Sequence, residues 1–238
     1  PASQVVAIVF TSGSTGEPAA NEKNWGALVS SATRLYQRFV APMGPDVGLL
    51  ATVPPQHMYG MEMTVMMALH GGCVLHTGRP FFPSDIVQAL AQVNMPRLLV
   101  TTPVHLRAII SAGLEVPALA KLVCSTAPLT IDAAAAAENS LGVSLFEIFG
   151  STETGSIATR RTVSEEAWQP LGGITLQPRQ QGWEVSGTGL ASPATLLDLL
   201  ELQPDGCFRF LGRAADMINV AGKRISIAEL TSQFLAIE

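Results

Sequence analysis

Apolar and polar positions alternate along this chain in two periods, and the switch between them marks the elements. Val5 to Phe10 and Val47 to Val53 are short apolar runs rich in branched residues, the second closed by Pro54-Pro55, and both predict strands. Arg97 to Thr101, Leu122 to Cys124 and Leu145 to Ile148 read the same way, with a shorter strand at Cys73 to His76. Between them the spacing turns helical. Gly26 to Phe39 places Leu28, Leu35 and Phe39 on one face, and Met61 to Leu69 is a short apolar helix stopped by Gly71-Gly72. Ser84 is expected to cap a helix over 85–93. Pro103 suits the first turn of a helix running to Ser111, and Thr130 caps the alanine-rich helix from Asp132 to Leu141. This βαβα order predicts an α/β fold: a mostly parallel, doubly wound sheet with helices on both faces.

After Gly155 the texture changes. Helical spacing fades, and Glu184 to Ser186, Leu199 to Leu202 and Cys207 to Leu211 read as short strands, the last two joined at Pro204-Asp205-Gly206. The expected division is an α/β subdomain over 1–155, a smaller β-rich subdomain over 156–211, and a final segment over 212–238 that starts another helix at Ser226 to Phe234.

Composition narrows the function classes. With 238 residues, 47% hydrophobic and 14% charged, the chain can bury a sizeable core. A net charge of −5 supplies no basic field, so nucleic acid is not an expected partner. Cys73, Cys124 and Cys207 are widely spaced and form no Cys-x-x-Cys, which predicts reduced, buried thiols and a cytoplasmic protein. No run approaches the roughly 18 apolar residues of a membrane span.

Candidate chemistry begins directly after the first strand. Thr11, Ser12, Gly13, Ser14, Thr15 and Gly16 form an unbroken hydroxyl and glycine loop. Such a loop turns tightly, brings backbone N–H groups close to an anion and adds hydroxyl donors. It lacks the Gly-Lys-Ser/Thr of a Walker loop, and no such triplet occurs in the chain. Read bare, it is also a solvated Ser/Gly linker. Two further strips change that balance: Phe149-Gly150-Ser151-Thr152-Glu153-Thr154-Gly155, after a predicted strand, and Gly212-Arg213-Ala214-Ala215-Asp216, near the end.

Together and in this order, the three strips resemble the phosphate loop, the Tyr-Gly-x-Thr-Glu motif and the hinge motif of the adenylate-forming superfamily. That group contains acyl- and aryl-CoA synthetases, peptide-synthetase adenylation domains and luciferases. The resemblance implies an ATP-dependent activation of a carboxylic acid to an acyl-adenylate, then transfer to a thiol of CoA or an acyl carrier protein. It implies that residues 11–16 hold the β- and γ-phosphates and that Glu153, with Thr15, binds Mg²⁺. Thr152 would meet the adenylate phosphate, and Phe149 would stack on adenine, flanked by Glu147, Ile148, Gly150 and Ser151. Ser125, Thr126, Ala127 and Pro128 resemble the Gly-Gly-Ala-Pro segment lining the adenine and acyl sites. Asp198 and Arg213 would reach the ribose, and Arg213 alternatively a phosphate.

His57, Met58, Tyr59 and Gly60, within Val53 to Gly60, resemble the acyl-pocket segment, with Thr102 from the next strand end. His57 would orient the carboxylate; read bare, it is a core histidine bonded to backbone. Glu153 read bare solvates a turn, Asp198 an exposed strand end, and Met61, Met63, Met66 and Met67 are core filler. Three departures stand out. Ala19 occupies the place of a usual lysine, which leaves Lys23 as the nearest cation; Phe149 replaces Tyr; and Ala215 replaces the usual hinge aspartate. The superfamily also extends beyond both ends of this stretch, so the resemblance implies a truncated N-terminal domain, weakly active or inactive without a C-terminal domain. Within the superfamily, the strings at 53–60, 99–106 and 149–155 are similar to bacterial AMP-ligases of aryl-polyene and xanthomonadin pigment pathways, which load a hydroxybenzoate onto an acyl carrier protein. A fatty acyl-CoA or acyl-carrier-protein ligase, and a catalytically impaired nucleotide-binding module, are the alternatives.

Overall fold

The computed structural model describes residues 1–12, 18–213, 217–220 and 223–226. Strand β1 (Val5–Ser12) returns through β2 (Pro18–Asn24) as an antiparallel hairpin, with Thr11 opposite Ala19 and Ser12 opposite Pro18. Helix α1 (Trp25–Leu35) follows at once, because the Asn24 side chain accepts from the Ala27 N–H at 2.8 Å. A π-helical turn, Tyr36–Val40, carries it on to the buried Phe39.

The central sheet has seven strands in the order β4-β3-β5-β6-β7-β8-β9. Strands β3 (Gly48–Ala51), β4 (Val74–Leu75), β5 (Arg97–Thr101), β6 (Lys121–Cys124) and β7 (Leu145–Ser151) are parallel. Strands β8 (Gly155–Arg160) and β9 (Gln169–Pro170) turn back antiparallel, so the sheet runs on past Gly155. Its two faces are visible in single adjacent pairs. Leu49, Leu98 and Val123 join Phe39, Met63 and Met67 in one core, while Leu50, Leu99 and Leu122 join Ile86, Leu106 and Ala134 in the other. The period of two thus sends neighbours to opposite layers. Helices α4 (Pro83–Gln92), α5 (Pro103–Ser111) and α6 (Ile131–Leu141) cover the second face. The first is covered by α1 and a continuous helical stretch made of α2 (Met58–Gly60), a π-helical turn (Met61–Met66) and α3 (Met67–His70).

Thr130 caps α6 as expected, accepting from the Ala133 N–H, and Thr102 caps α5 in the same way, accepting from the His105 N–H ahead of Pro103. Ser84 does not cap α4. That helix starts two residues earlier than expected, at Pro83, whose missing N–H costs nothing at a first helical position, and Ser84 Oγ bonds Asp85 instead.

Beyond the sheet, β10 (Ile174–Pro178), β11 (Trp183–Gly187) and β12 (Ala194–Leu196) form a three-stranded antiparallel sheet. Strands β13 (Asp198–Leu202) and β14 (Phe208–Arg213) form a hairpin, and so do β15 (Met217–Val220) and β16 (Lys223–Ser226). The expected helix at 226–234 falls almost wholly outside the described residues. Cys73 and Cys124 are buried and Cys207 is half-buried; all are free thiols. No helix among the described residues is long and apolar enough to cross a membrane.

Leu99 is fully buried in the middle of β5, between parallel neighbours on each side. Leu99→Ala is expected to cost about 2–5 kcal/mol in urea unfolding, and Val104→Ala, on the exposed face of α5, within about 0.5 kcal/mol. Equal effects at the two positions would contradict the layered core.

Candidate active site

The strands that are buried on both faces end together, and a cavity of about 450 Å³ opens there. Val53 and Pro54 come from the end of β3, Thr102 from β5, Ser125 and Thr126 from β6, and Ile148, Gly150 and Ser151 from β7. This is the carboxyl edge of the parallel strands, where backbone groups leave the ladder and loops diverge. Each loop is pinned locally. Thr102 Oγ1 lies 2.8 Å from His105 Nδ1, and Ser125 Oγ donates to the Ile148 carbonyl at 2.8 Å. Thr126 holds a left-handed backbone, φ 84°, which a non-glycine residue rarely adopts. Tyr59 also lines the cavity, and its hydroxyl donates to the Val123 carbonyl at 3.0 Å, with the Thr101 carbonyl at 3.3 Å. Burial drives the Tyr59 phenol well above its ordinary value, so it remains a neutral donor. His57 is exposed, so it is not the bonded core histidine of the bare reading.

The turn between β7 and β8 carries Thr152 and Glu153. Gly150 and Gly155 are paired so closely that a Cβ on Gly150 would collide with the Gly155 carbonyl, and Gly155 sits at φ 66°. Thr154 Oγ1 accepts from the Ser151 N–H at 3.0 Å and donates to the Gly155 carbonyl at 2.8 Å. The tip splits two ways. Thr152 lines the main cavity, while the exposed Glu153 lines a second cavity of about 210 Å³ on the α1 and β2 side. Lys23 reaches this turn: its Nζ donates to the Glu153 carbonyl at 3.1 Å. Burial lowers the Lys23 pKa, opposed by the charges of Glu62 and Glu153.

Several residues expected at the site face elsewhere. Glu147 is buried against Arg160 at 2.7 Å and accepts from Thr162 at 2.6 Å, a structural ion pair away from the cavity. The Phe149 ring packs on Trp168, Phe208 and Phe210, with centroids 5.2–5.6 Å away, and does not line either cavity. Ala127 and Pro128 are exposed outside the cavity wall, and Gly60 is buried where a Cβ would strike the Pro54 carbonyl. Asp198 and Arg213 stand opposite each other at the end of the β13–β14 hairpin. Gly13, Ser14, Thr15 and Gly16 lie outside the described residues, as do Ala214, Ala215 and Asp216.

One residue of the site was not foreseen. Glu62 is 1% exposed and lines both cavities. Ser31 Oγ donates to one carboxylate oxygen, and Ser156 donates to the other from its N–H at 3.0 Å and its Oγ at 2.6 Å. A lone glutamate inside the apolar run from Met58 to Met67 was the available signal. Among the described residues there is no cluster of three or more His, Cys, Asp or Glu side chains able to hold a metal. A hard divalent cation carried mainly by phosphate oxygens and water needs fewer protein ligands, and the exposed Glu153 carboxyl is of the right kind.

Residues 1–193 match the sequence profile of a family described as AMP-binding enzyme. Curated relatives include a 4-coumarate–CoA ligase of Halorhodospira halophila, 26% identical over 91% of this chain and 53% of that protein. A second, from Rhodobacter capsulatus, is 28% identical over 95% of this chain and 56% of its own length. The chain therefore spans about half the length of the curated relatives it matches. Among solved structures, O-succinylbenzoate coenzyme A synthetase from Bacillus subtilis, in complex with ATP and magnesium ion, superposes with a TM-score of 0.81 at 19% identity. It aligns with 99% of this chain and 56% of its own. ATP-bound MatB from Rhodopseudomonas palustris gives a TM-score of 0.77 at 20% identity, over 100% of this chain and 54% of its own. At these identities the likeness shows the fold: an adenylate-forming N-terminal domain.

Burial, the largest influence, lifts the Glu62 carboxyl above the usual range, against the pull of Ser156, Ser31 and Arg34. A carboxyl raised in the folded state binds its proton more tightly there than in the unfolded chain. Its contribution to stability is complete below the ordinary glutamate value of about 4.3 and is lost as pH rises through the folded-state value. The stability of the native protein minus that of Glu62→Gln, from urea melts, should therefore fall as pH rises from about 4. A difference that grows with pH would contradict this environment for Glu62.

Proposed function

Because the chain belongs to the AMP-binding enzyme family, we propose that it is the acid-activating part of an ATP-dependent acid–thiol ligase. The proposed acid is an aryl acid such as a hydroxybenzoate, and the acceptor is the phosphopantetheine thiol of an acyl carrier protein or CoA. The observation that carries this reading is the cavity at the carboxyl edge of β3, β5, β6 and β7, with Thr152 in its wall and Glu153 on the same turn.

In the proposed reaction a carboxylate oxygen of the acid attacks the α-phosphorus of ATP. The bond from that phosphorus to the β-bridging oxygen breaks, leaving acyl-adenylate and pyrophosphate. The chain's task is alignment and charge neutralisation, since both reactants are anions. Thr152 would donate to the α-phosphoryl group. His57, exposed at the cavity, would hold the acid carboxylate, and Thr102 and Thr126 would line the acid's path. Residues 11–16 would cradle the outgoing phosphates, and Asp198 with Arg213 would hold the ribose, their strand positions already facing each other. Magnesium would supply charge neutralisation at the phosphates, held by Glu153 and Thr15. A cavity of about 450 Å³, with Tyr59 in its wall, suits a short, flat acid better than a long alkyl chain. The relatives named 4-coumarate–CoA ligase act, by name, on 4-coumarate, a small acid that carries an aromatic ring. A cytoplasmic location accords with the use of ATP and reduced thiols.

Calorimetric titration of this chain with ATP and Mg²⁺ is expected to show saturable binding, weakened about tenfold by Glu153→Ala. Hydroxybenzoate should raise the affinity for a non-hydrolysable ATP analogue, and a long-chain fatty acid should not. Absence of nucleotide binding at millimolar ATP, or the reverse preference between acids, would overturn the proposal.

A further inference from the structure

Glu62 has no place in the reaction as proposed, yet it is a nearly inaccessible carboxylate in the wall between the two cavities. Among the described residues no lysine or arginine forms a salt bridge with it. Its partners are hydrogen-bond donors from two remote elements: Ser31 on α1 and Ser156 on β8. Desolvating a carboxylate without an ion-pair partner is costly, and an apolar residue would fill such a position at less cost. What the carboxylate does there is visible in its neighbours. Ser156 is the second residue of β8, directly after the turn that bears Thr152 and Glu153. Gly155 packs on Glu62 so closely that a Cβ there would lie 2.6 Å from Oε1. Lys23, itself buried on β2 and lining the second cavity with Glu62, holds the same turn through the Glu153 carbonyl.

We propose that Glu62 and Lys23 act as a positioning pair that holds the 152–154 turn at two points, Glu62 just after it and Lys23 at its Glu153 carbonyl, so that Thr152 faces the main cavity while Glu153 faces the second. The proposal rests on the reading that this turn holds a magnesium nucleotide. Both residues act through the backbone of the turn rather than on the reacting atoms. Lys23 thereby serves the phosphates indirectly, by fixing the metal-binding carboxylate, rather than by replacing the lysine missing at Ala19. The chemistry explains why a carboxylate is needed. Three donor groups converge on Glu62, and a carboxylate accepts at about four lone-pair sites with no donor of its own. A glutamine keeps one acceptor oxygen: with that oxygen on Ser156, its NH₂ faces Ser31 Oγ, so Ser31 must accept rather than donate, and the charge that strengthens all three bonds is lost.

The test uses Glu62→Gln and Lys23→Met in this chain. ATP affinity is measured with Mg²⁺ and with EDTA, and backbone amide exchange is followed at 151–156. Each variant is expected to weaken Mg-ATP about tenfold and metal-free ATP by less than about twofold, with exchange accelerated at the turn and unchanged along β5 and β6. Should either variant fail to fold, Ser156→Ala removes one donor to Glu62 and is expected to move the same readings in the same direction. Equal losses with and without metal, or faster exchange spread through α1 and the sheet, would show a general brace and overturn the proposal. Unchanged affinity and unchanged exchange would overturn it as well. If the native chain binds no ATP, the proposed function fails, while the exchange measurement still decides whether Glu62 and Lys23 hold the turn.

Discussion

Two-sided burial of the parallel strands is the constraint on which this molecule is built. Leu49 and Leu50, Leu98 and Leu99, and Leu122 and Val123 are neighbours whose side chains enter different cores. A sheet covered on both faces has no free surface for chemistry, so polar groups can gather only where the strands stop. Thr102, Ser125, Thr126, Gly150 and Ser151 all occur at that edge. Their hydrogen bonds run from one strand end to the next, as from Ser125 to the Ile148 carbonyl, so the rigid sheet determines the spacing of the site. Function is confined to the rim because the interior is fully committed to packing.

The rim carries two kinds of residue, and the structure separates them. Thr152, His57 and Thr126 line the cavity. Tyr59, Glu62 and Lys23 are buried and bond to backbone groups or serines. The second set is what makes the first set's geometry reproducible, since a side chain on a loop is only as well placed as the backbone beneath it. The second cavity gives that division a spatial form. It lies across the Glu62 and Met58 wall from the first, so one turn displays a hydroxyl on one side and a carboxylate on the other.

Much of this was legible in the sequence. Thr130 before an alanine run, Pro103 after a branched strand, and the continuous apolar runs at β3, β5 and β6 mark the right elements, because local preference and tertiary burial agree there. Strands β2 and β8 were not read. Pro-Ala-Ala-Asn-Glu-Lys-Asn has no branched residue, and Gly-Ser-Ile-Ala-Thr-Arg is mostly small; both are strands through their partners rather than through propensity. Glu147 was grouped with the site because it adjoins the motif. Strand parity argues otherwise, since Ile148 and Gly150 line the cavity and Glu147 has the opposite phase. Glu62 was hidden because a single charged residue on a short helix ordinarily faces water; only its buried serine partners, remote in sequence, reveal it.

The most direct examination of the central claim is a crystal structure of this chain grown with Mg-ATP and a hydroxybenzoate. The α-phosphoryl group is expected against Thr152, the metal at Glu153, and the aromatic ring between Thr102, Thr126 and Tyr59 at the carboxyl edge of the sheet. Nucleotide density on any other face of the molecule, or an empty edge with both ligands present in excess, would contradict it.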